Sequence, residues 1–285
     1  MEHYYEFAGI PVCVSADASN LYADHGVLEP YILSQPREIR HHFFFELVDQ
    51  IYPIEEPSVF RDIGLQVYHS DGAVIRYAGT IGSTHMKIQR RGSQSMVSCL
   101  RSVYPSGISP KTVLNAMEAE HLMVRNGGFI LHASFIRVGE RAILFTAPSG
   151  TGKSTQADLW CRYRNAELIN GDRAAVMVED GRVYAYGIPF SGSSGVAKNA
   201  RLPVSAIIYL SQAPRNSVEE WKGFQAFRKV WEGCSVNVWD REDVAQASKT
   251  VLDVLKVVPL LHLSCTPDQG AVDALAAILT QRGDL

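Results

Sequence analysis

The sequence predicts an α/β fold with a mixed sheet, preceded by a smaller antiparallel β-rich domain, and three observations carry that prediction. Apolar residues alternate with period two from Tyr4 to about Val103, helical spacing begins only after Ser109-Pro110, and the order strand, glycine loop, helix runs from Ala142 to Arg164. The boundaries that follow are 1–106 for the β-rich domain and 107–285 for the α/β domain, with the junction near residues 104–110. A chain of 285 residues accommodates one large domain or two smaller ones.

In the first region, Gly64–Ser70 alternates Leu65, Val67 and His69 against Gln66 and Tyr68, and Ala73–Gly79 repeats the pattern after Asp71-Gly72. Asp-Gly between two such runs predicts a hairpin, because a tight primed turn needs positive φ at both central residues. A second hairpin joins His85–Gln89 to Gln94–Leu100 around Arg91-Gly92-Ser93. Lys87, Arg90 and Arg91 beside that turn read as charges that keep a sheet edge soluble and unpaired. Ser109-Pro110 then supplies an N-cap and a first-turn proline for one helix, with Val113, Leu114, Met117, His121 and Val124 on one face and Gly127-Gly128 as its stop.

Phe129–Ile136 and Ala142–Thr146 are apolar runs of buried-strand length, joined by a turn at Gly139-Glu140. Thr155–Arg164 reads as a helix, Glu167–Asn170 as a short strand, and Ala174–Glu179 with Arg182–Tyr186 as a hairpin around Asp180-Gly181. Gly187–Asn199, rich in glycine and serine, predicts a loop before the strand Leu202–Leu210. Helices at Trp221–Trp231 and Asp240–Leu255, a strand at Val258–Leu263 and a helix at Asp268–Thr280 complete the chain. Trp221, Trp231, Trp239, Phe224 and Phe227 lie at spacings of helices packed on a sheet and read as core.

A formal net charge of -3 and a pI of about 6.3 leave no broad basic footprint for nucleic acid, so small ligands and proteins are the expected partners. The five cysteines, Cys13, Cys99, Cys161, Cys234 and Cys265, form no CxxC pair and no zinc spacing with histidine, which predicts reduced core thiols in a cytoplasmic protein. A basic-then-apolar leader is missing at the N-terminus, and no run of apolar residues reaches spanning length, so neither secretion nor a membrane span is expected.

Ala147-Pro-Ser-Gly-Thr-Gly-Lys-Ser154 fits the phosphate-loop pattern GxxxxGK[ST], with alanine at the first glycine. Spacing of that kind arises by composition in about one chain in fifty of this length, so the flanking strand and helix are what make it specific. In that setting backbone N–H groups converge on phosphate oxygens at the positive end of a helix. Gly150 and Gly152 let the backbone approach, Lys153 reaches the β- and γ-phosphates, and the Ser154 hydroxyl ligates Mg²⁺. A second oxygen ligand is expected from an acid at the end of a neighbouring strand, and Asp172 after Leu168-Ile169-Asn170-Gly171 is the candidate.

His132 upstream of the loop, APSGTGKST at 147–155, LINGDR at 168–173 and YGIPFSGSSG at 186–195 together resemble the kinase domain of HPr kinase/phosphorylase and its small kinase-like relatives, within the phosphoenolpyruvate carboxykinase-like superfamily. The resemblance covers about Phe129–Leu279 and does not extend to the β-rich first hundred residues. It implies ATP as phosphoryl donor, Mg²⁺, and a serine-type hydroxyl of a small molecule or peptide as acceptor. Carried across, Ser149, Gly150, Thr151, Gly152, Lys153, Ser154 and Thr155 bind phosphate, Ser154 and Asp172 hold magnesium, and His132 lies near the transferred group. The chain departs at Gly171, where the family has an aspartate read as the base that activates the hydroxyl, and it lacks the second signature of HPr kinase, associated with phosphorylase activity. Asp172 or His132 remains to take the proton, the histidine having an ordinary pKa near 6.5.

Lys198 and Arg201, just after the glycine-serine loop, are further candidates for contact with a triphosphate or an acidic substrate. Glu118 and Glu120 stand on the helix ahead of the His132 strand, where they would face the site. Two other functions stay open at this stage: a nucleotide-sensing or ATP-hydrolysing regulator with a protein partner, and a carboxykinase acting on an oxo-acid. The β-rich domain is expected to shape an acceptor pocket or a homo-oligomer interface.

Overall fold

A computed structural model describes the chain apart from residues 18, 23, 36 and 81 and the side chain of residue 193. It divides into two units, Met1–Glu118 and Ala119–Leu285. The division falls between two short helices rather than ahead of them.

The first unit carries an eight-stranded sheet of β1 (Glu2–Phe7), β2 (Ile10–Ala16), β3 (His41–Val48), β4 (Phe60–Asp62), β5 (Leu65–Ser70), β6 (Ala73–Thr80), β7 (Ser83–Arg91) and β8 (Gln94–Leu100), in the order β1-β2-β3-β8-β7-β6-β5-β4. Both expected hairpins form, β5 with β6 and β7 with β8, and at the first turn Asp71 (φ 48°) and Gly72 (φ 70°) take the positive values a primed turn demands. The sheet is not wholly antiparallel, however. β3 runs parallel to both β2 and β8, and a parallel pair needs a long crossover, here residues 17–40 between β2 and β3 and the whole β4–β7 meander between β3 and β8. β7 is therefore an interior strand, and Arg90 is no edge charge: it is 8% exposed and donates to the carboxylate of buried Glu118 at 3.0 Å, with Arg76 at 3.4 Å on the other oxygen.

That ion pair accounts for a second departure. The single helix expected after Ser109 is two, α1 (Pro110–Ala116) and α2 (Ala119–Arg125), because Met117 turns extended at φ -68°, ψ 113°. No glycine or proline breaks the sequence there; the extended backbone delivers Glu118 to Arg90 and Arg76, and a buried carboxylate without such partners would cost several kcal/mol. Ser109 does cap α1, accepting from the Thr112 amide at 3.2 Å.

In the second unit β9 (Gly128–Val138) and β10 (Arg141–Thr146) precede α3 (Lys153–Arg164), followed by β11 (Glu167–Asn170), β12 (Arg173–Glu179), β13 (Arg182–Gly187) and β14 (Arg201–Gln212). β15 (Ser217–Trp221), α4 (Gly223–Trp231), β16 (Cys234–Ser235), α5 (Arg241–Val257), β17 (Leu260–Cys265) and α6 (Gln269–Arg282) complete it. The mixed sheet has the order β10-β9-β12-β13-β14-β17-β15, with β11 and β16 on β9, and β10 also pairs β14. Alternation along the strands divides the core in two. Leu144, Ile207 and Leu131 pack with Val230 of α4 and Val251 and Val254 of α5 on one face. Ile143, Ile208 and Leu261 pack with Trp160 of α3 and Val272 and Leu275 of α6 on the other.

Two aromatic assignments change. Trp221 closes a strand rather than opening a helix, and Phe224 is 79% exposed instead of core, although Phe227 and Trp231 do pack against the apolar cluster under α4. All five cysteines are free thiols, with Cys13, Cys99 and Cys265 buried and Cys161 and Cys234 partly so. No helix among the described residues is long and apolar enough to cross a membrane.

Candidate active site

β10 is parallel to β14, and β14 to β17, so their carboxyl ends at Thr146, Gln212 and Cys265 share one rim of the sheet. Ligands in open α/β sheets bind at such rims. The segment Ala147–Gly152 leaves β10 there and enters α3. Gly150 (φ 76°) and Gly152 (φ 118°) hold left-handed backbone that a side chain would strain, and Gly152 at the N-cap leaves the first amides of α3 without a capping side chain. Ser149, Gly150, Ser154 and Thr155 are exposed along this turn, and Thr151 and Gly152 half-buried. Lys153 is only 8% exposed; its ammonium donates to the Ala147 carbonyl at 3.0 Å and the Pro148 carbonyl at 3.4 Å. Burial lowers its pKa from the ordinary lysine value, and the negative charge of Asp172 pulls the other way.

Two hollows flank the turn. A cleft of about 540 Å³ lies between Gly150–Gly152 and the ends of β14 and β17, with Gln156, Gln212, Cys265 and Thr266 in its wall. Gln156 is buried, donates to the Cys265 thiol at 3.3 Å, and has an amide oxygen with no partner. A shallower groove of about 420 Å³ runs over Pro148–Thr151 and Tyr209–Gln212.

Opposite the lysine, β11 ends on Asn170, which is fully buried and saturated. Its side-chain nitrogen donates to the carbonyls of Ile188 (2.9 Å) and Phe190 (3.0 Å), and its oxygen accepts from the amides of Asp172 (2.9 Å) and Arg173 (3.0 Å). This one side chain fixes the turn that presents Asp172 and ties it to the loop after β13. The Asp172 carbonyl accepts from Ala133 on β9, and its carboxylate meets His132 Nε2 at 3.2 Å and Arg173 at 3.3 Å. Arg173 also reaches Glu120 at 3.7 Å, so Glu120 borders the site while Glu118 belongs to the first unit. Chiefly burial, and then the Lys153 charge, holds the His132 imidazole below 6.5, against the opposing pull of Asp172. That shift favours the neutral imidazole, the form that can accept a proton.

Gly171 has a steric explanation. A Cβ there would stand 2.3 Å from the Ser194 hydroxyl, so the short turn Gly192–Ser194 fills the space that an aspartate side chain would need. Gly192 in turn lies against Asp172, where a Cβ would come within 2.6 Å of its carboxylate carbon.

Lys198 and Arg201 do not join this group. Lys198 pairs with Glu167 at 2.8 Å, at the start of β11, and Arg201 pairs with Glu179 at 2.6 Å and lies 3.5 Å from the Tyr184 ring centre. Arg201 opens β14 and Tyr209, level with Thr146, comes late in it, so at ~3.3 Å per residue the whole strand separates Arg201 from the phosphate-loop rim. The sequence reading passed over Asn170 and Gln156; a lone amide ending an apolar strand, Leu168-Ile169-Asn170, was the available signal for the first, and for the second there was none.

The fold and rim define an α/β unit with a mixed sheet and a glycine turn at the carboxyl ends of its parallel strands. No protein-family model and no curated protein matches the sequence. Among solved structures the chain is similar to the Hpr(Ser) kinase/phosphatase from Coxiella burnetii, at 13% identity, over 54% of this chain and 89% of that one, with a TM-score of 0.31. That is a distant structural likeness, too slight to carry a functional argument.

Proposed function

We propose that the chain is an ATP-dependent, magnesium-dependent kinase that transfers the γ-phosphoryl group to a serine-type hydroxyl of a small molecule or peptide. The observation that carries the reading is the convergence of three groups on the loop between β10 and α3: a buried Lys153 bonded only to carbonyls, an Asp172 carboxylate whose charge acts on it, and the His132 imidazole held against that carboxylate. A buried ammonium with no carboxylate in ion-pair range is prepared for an anion, and the glycine turn adds amides that recognise phosphate oxygens. The cleft beside Gln156 and Thr266 supplies room for the base and ribose.

Ser154 and Asp172 offer the hard oxygen donors that magnesium prefers, one exposed hydroxyl and one partly exposed carboxylate, so the donor set fits the ion. When bound, the metal neutralises charge on the β- and γ-phosphates. Lys153 swings from the loop carbonyls to the phosphates, and Arg173 steadies Asp172. With the Gly171 position closed by Ser194, the acceptor proton passes to the Asp172 carboxylate or to the free ring nitrogen of His132, whose Nε2–H is donated to Asp172 and whose neutral form burial and the Lys153 charge favour.

The test is a thermal-shift series with nucleotides, followed by mass spectrometry of candidate acceptors after incubation with γ-labelled ATP. Stabilisation by ATP with magnesium, and loss of at least about 100-fold in turnover on Asp172→Asn, are expected; full activity in that variant removes Asp172 from the metal site. A second reading, an ATP-hydrolysing regulator, is favoured by the closed Gly171 position, since a weakened base suits slow turnover. Phosphate release with no phosphorylated acceptor across a metabolite and peptide screen would decide for it.

A further inference from the structure

Three side chains that this reading does not use stand together on the sheet face beside the phosphate loop. Ser211 on β14, His262 on β17 and Glu219 on β15 are same-face neighbours across adjacent strands: Ser211 is level with Ser264, two residues beyond His262, and Glu219 is directly opposite His262. His262 Nδ1 lies 3.0 Å from a Glu219 carboxylate oxygen, and its Nε2 lies 2.8 Å from the Ser211 hydroxyl and 3.3 Å from that of Ser264. The carboxylate fixes the tautomer, with hydrogen on Nδ1, so that Nε2 accepts from Ser211. Trp221 stacks on the imidazole at 3.9 Å and donates its indole N–H to the same Glu219 oxygen at 2.8 Å, so ring and acid are both held. A polar ladder serving only to solvate a sheet face needs no such ordering of hydroxyl, imidazole and carboxylate.

Location gives the triad its substrate. Ser211 is half-buried and lines the groove that also contains Pro148, Ser149, Gly150 and Thr151, and it lies two residues past Tyr209, the residue level with the end of β10. An activated hydroxyl there shares its solvent space with the turn that would cradle a triphosphate.

We propose that Ser211 is an internal phosphoryl acceptor, with His262 as its base and Glu219 as a positioning residue; the proposal rests on the kinase reading for its donor. The Ser211 Oγ bonds to the γ-phosphorus as the bond from that phosphorus to the β–γ bridging oxygen breaks. The nucleoside diphosphate leaves with the electron pair, and the hydroxyl proton goes to His262 Nε2. The product is a phosphoserine on the chain itself.

The experiment has two arms on the full chain. In the first, wild type is incubated with γ-labelled ATP and magnesium, quenched at intervals, digested and sequenced by mass spectrometry. Phosphate is expected on Ser211, absent in Ser211→Ala, and appearing at least about 100-fold more slowly in His262→Asn. Glu219→Gln is expected to lower the maximal labelling rate while leaving the ATP concentration for half-maximal rate unchanged, a split that mere destabilisation would not produce. A chain that consumes ATP and never carries phosphate on Ser211 overturns the proposal. In the second arm a fluorophosphonate probe replaces the nucleotide: an adduct on Ser211 in wild type and in Lys153→Ala, lost in His262→Asn, supports an activated serine, and no adduct in wild type overturns it. Failure of ATP to bind would instead bring down the kinase reading, and the fluorophosphonate arm would still decide on Ser211.

Discussion

The two rims of the second unit's sheet treat their cations differently. At the rim where β14 begins and β9 ends, three cations are matched: Lys198 with Glu167, Arg201 with Glu179, Arg137 with Glu140 and Glu167. At the rim where β10 and β14 end, Lys153 is more deeply buried than any of these and has only the carbonyls of Ala147 and Pro148. Matched surface pairs are worth about 0–1 kcal/mol each and neutralise one another. A buried ammonium bonded to neutral oxygens keeps its charge for an incoming anion, which is why one lysine here is read as functional and two other cations are not.

The strongest way to break that contrast is to remove the lysine. Lys153→Ala is expected to cut ATP turnover by about 10³-fold, measured by phosphate release with binding followed by thermal shift, whereas Lys198→Ala and Arg201→Ala should each leave turnover within about twofold. Unchanged turnover in Lys153→Ala, or a large loss in either of the others, would reverse the assignment of the two rims. Asn170→Ala attacks the support of the candidate rim rather than its charge. Four hydrogen bonds of a fully buried amide are lost, and chemical denaturation should show about 3 kcal/mol of destabilisation together with weakened turnover, because Asp172 loses its anchor.

Gly171→Asp tests whether an aspartate can be accommodated at this position. With Ser194 in its space, the added side chain should destabilise the chain and leave turnover no higher; a more active variant would mean that the Gly192–Ser194 turn yields easily. The smallest expected effect is electrostatic. The His132 ring, followed by NMR, should titrate below 6.5 and move upward in Lys153→Met, since the lysine charge is one cause of the depression. The folded value lies below the unfolded one, so this group costs stability progressively as pH falls from 6.5 toward the folded value, and nothing above 6.5.

The core of the candidate site was legible because it is local in sequence. Glycines at positive φ, a lysine and serine opening a helix, and an aspartate after a short apolar strand are fixed by backbone chemistry over a few residues, and each landed at the rim. The same locality made both first-unit hairpins and the hairpin at Asp180-Gly181 readable. Lys198 and Arg201 misled because nearness in sequence to a flexible-looking loop says nothing about which end of a strand a side chain occupies.

What the sequence alone determined is therefore the set of elements, the turn chemistry and the motif between β10 and α3, all governed by dihedral preference and hydrophobic period. Tertiary structure alone decided the break before Glu118, the parallel placement of β3, the closure of the Gly171 position by Ser194 and the meeting of Ser211, His262 and Glu219. Each of those depends on strand order and register, which bring together residues tens of positions apart, and no short-range preference encodes them.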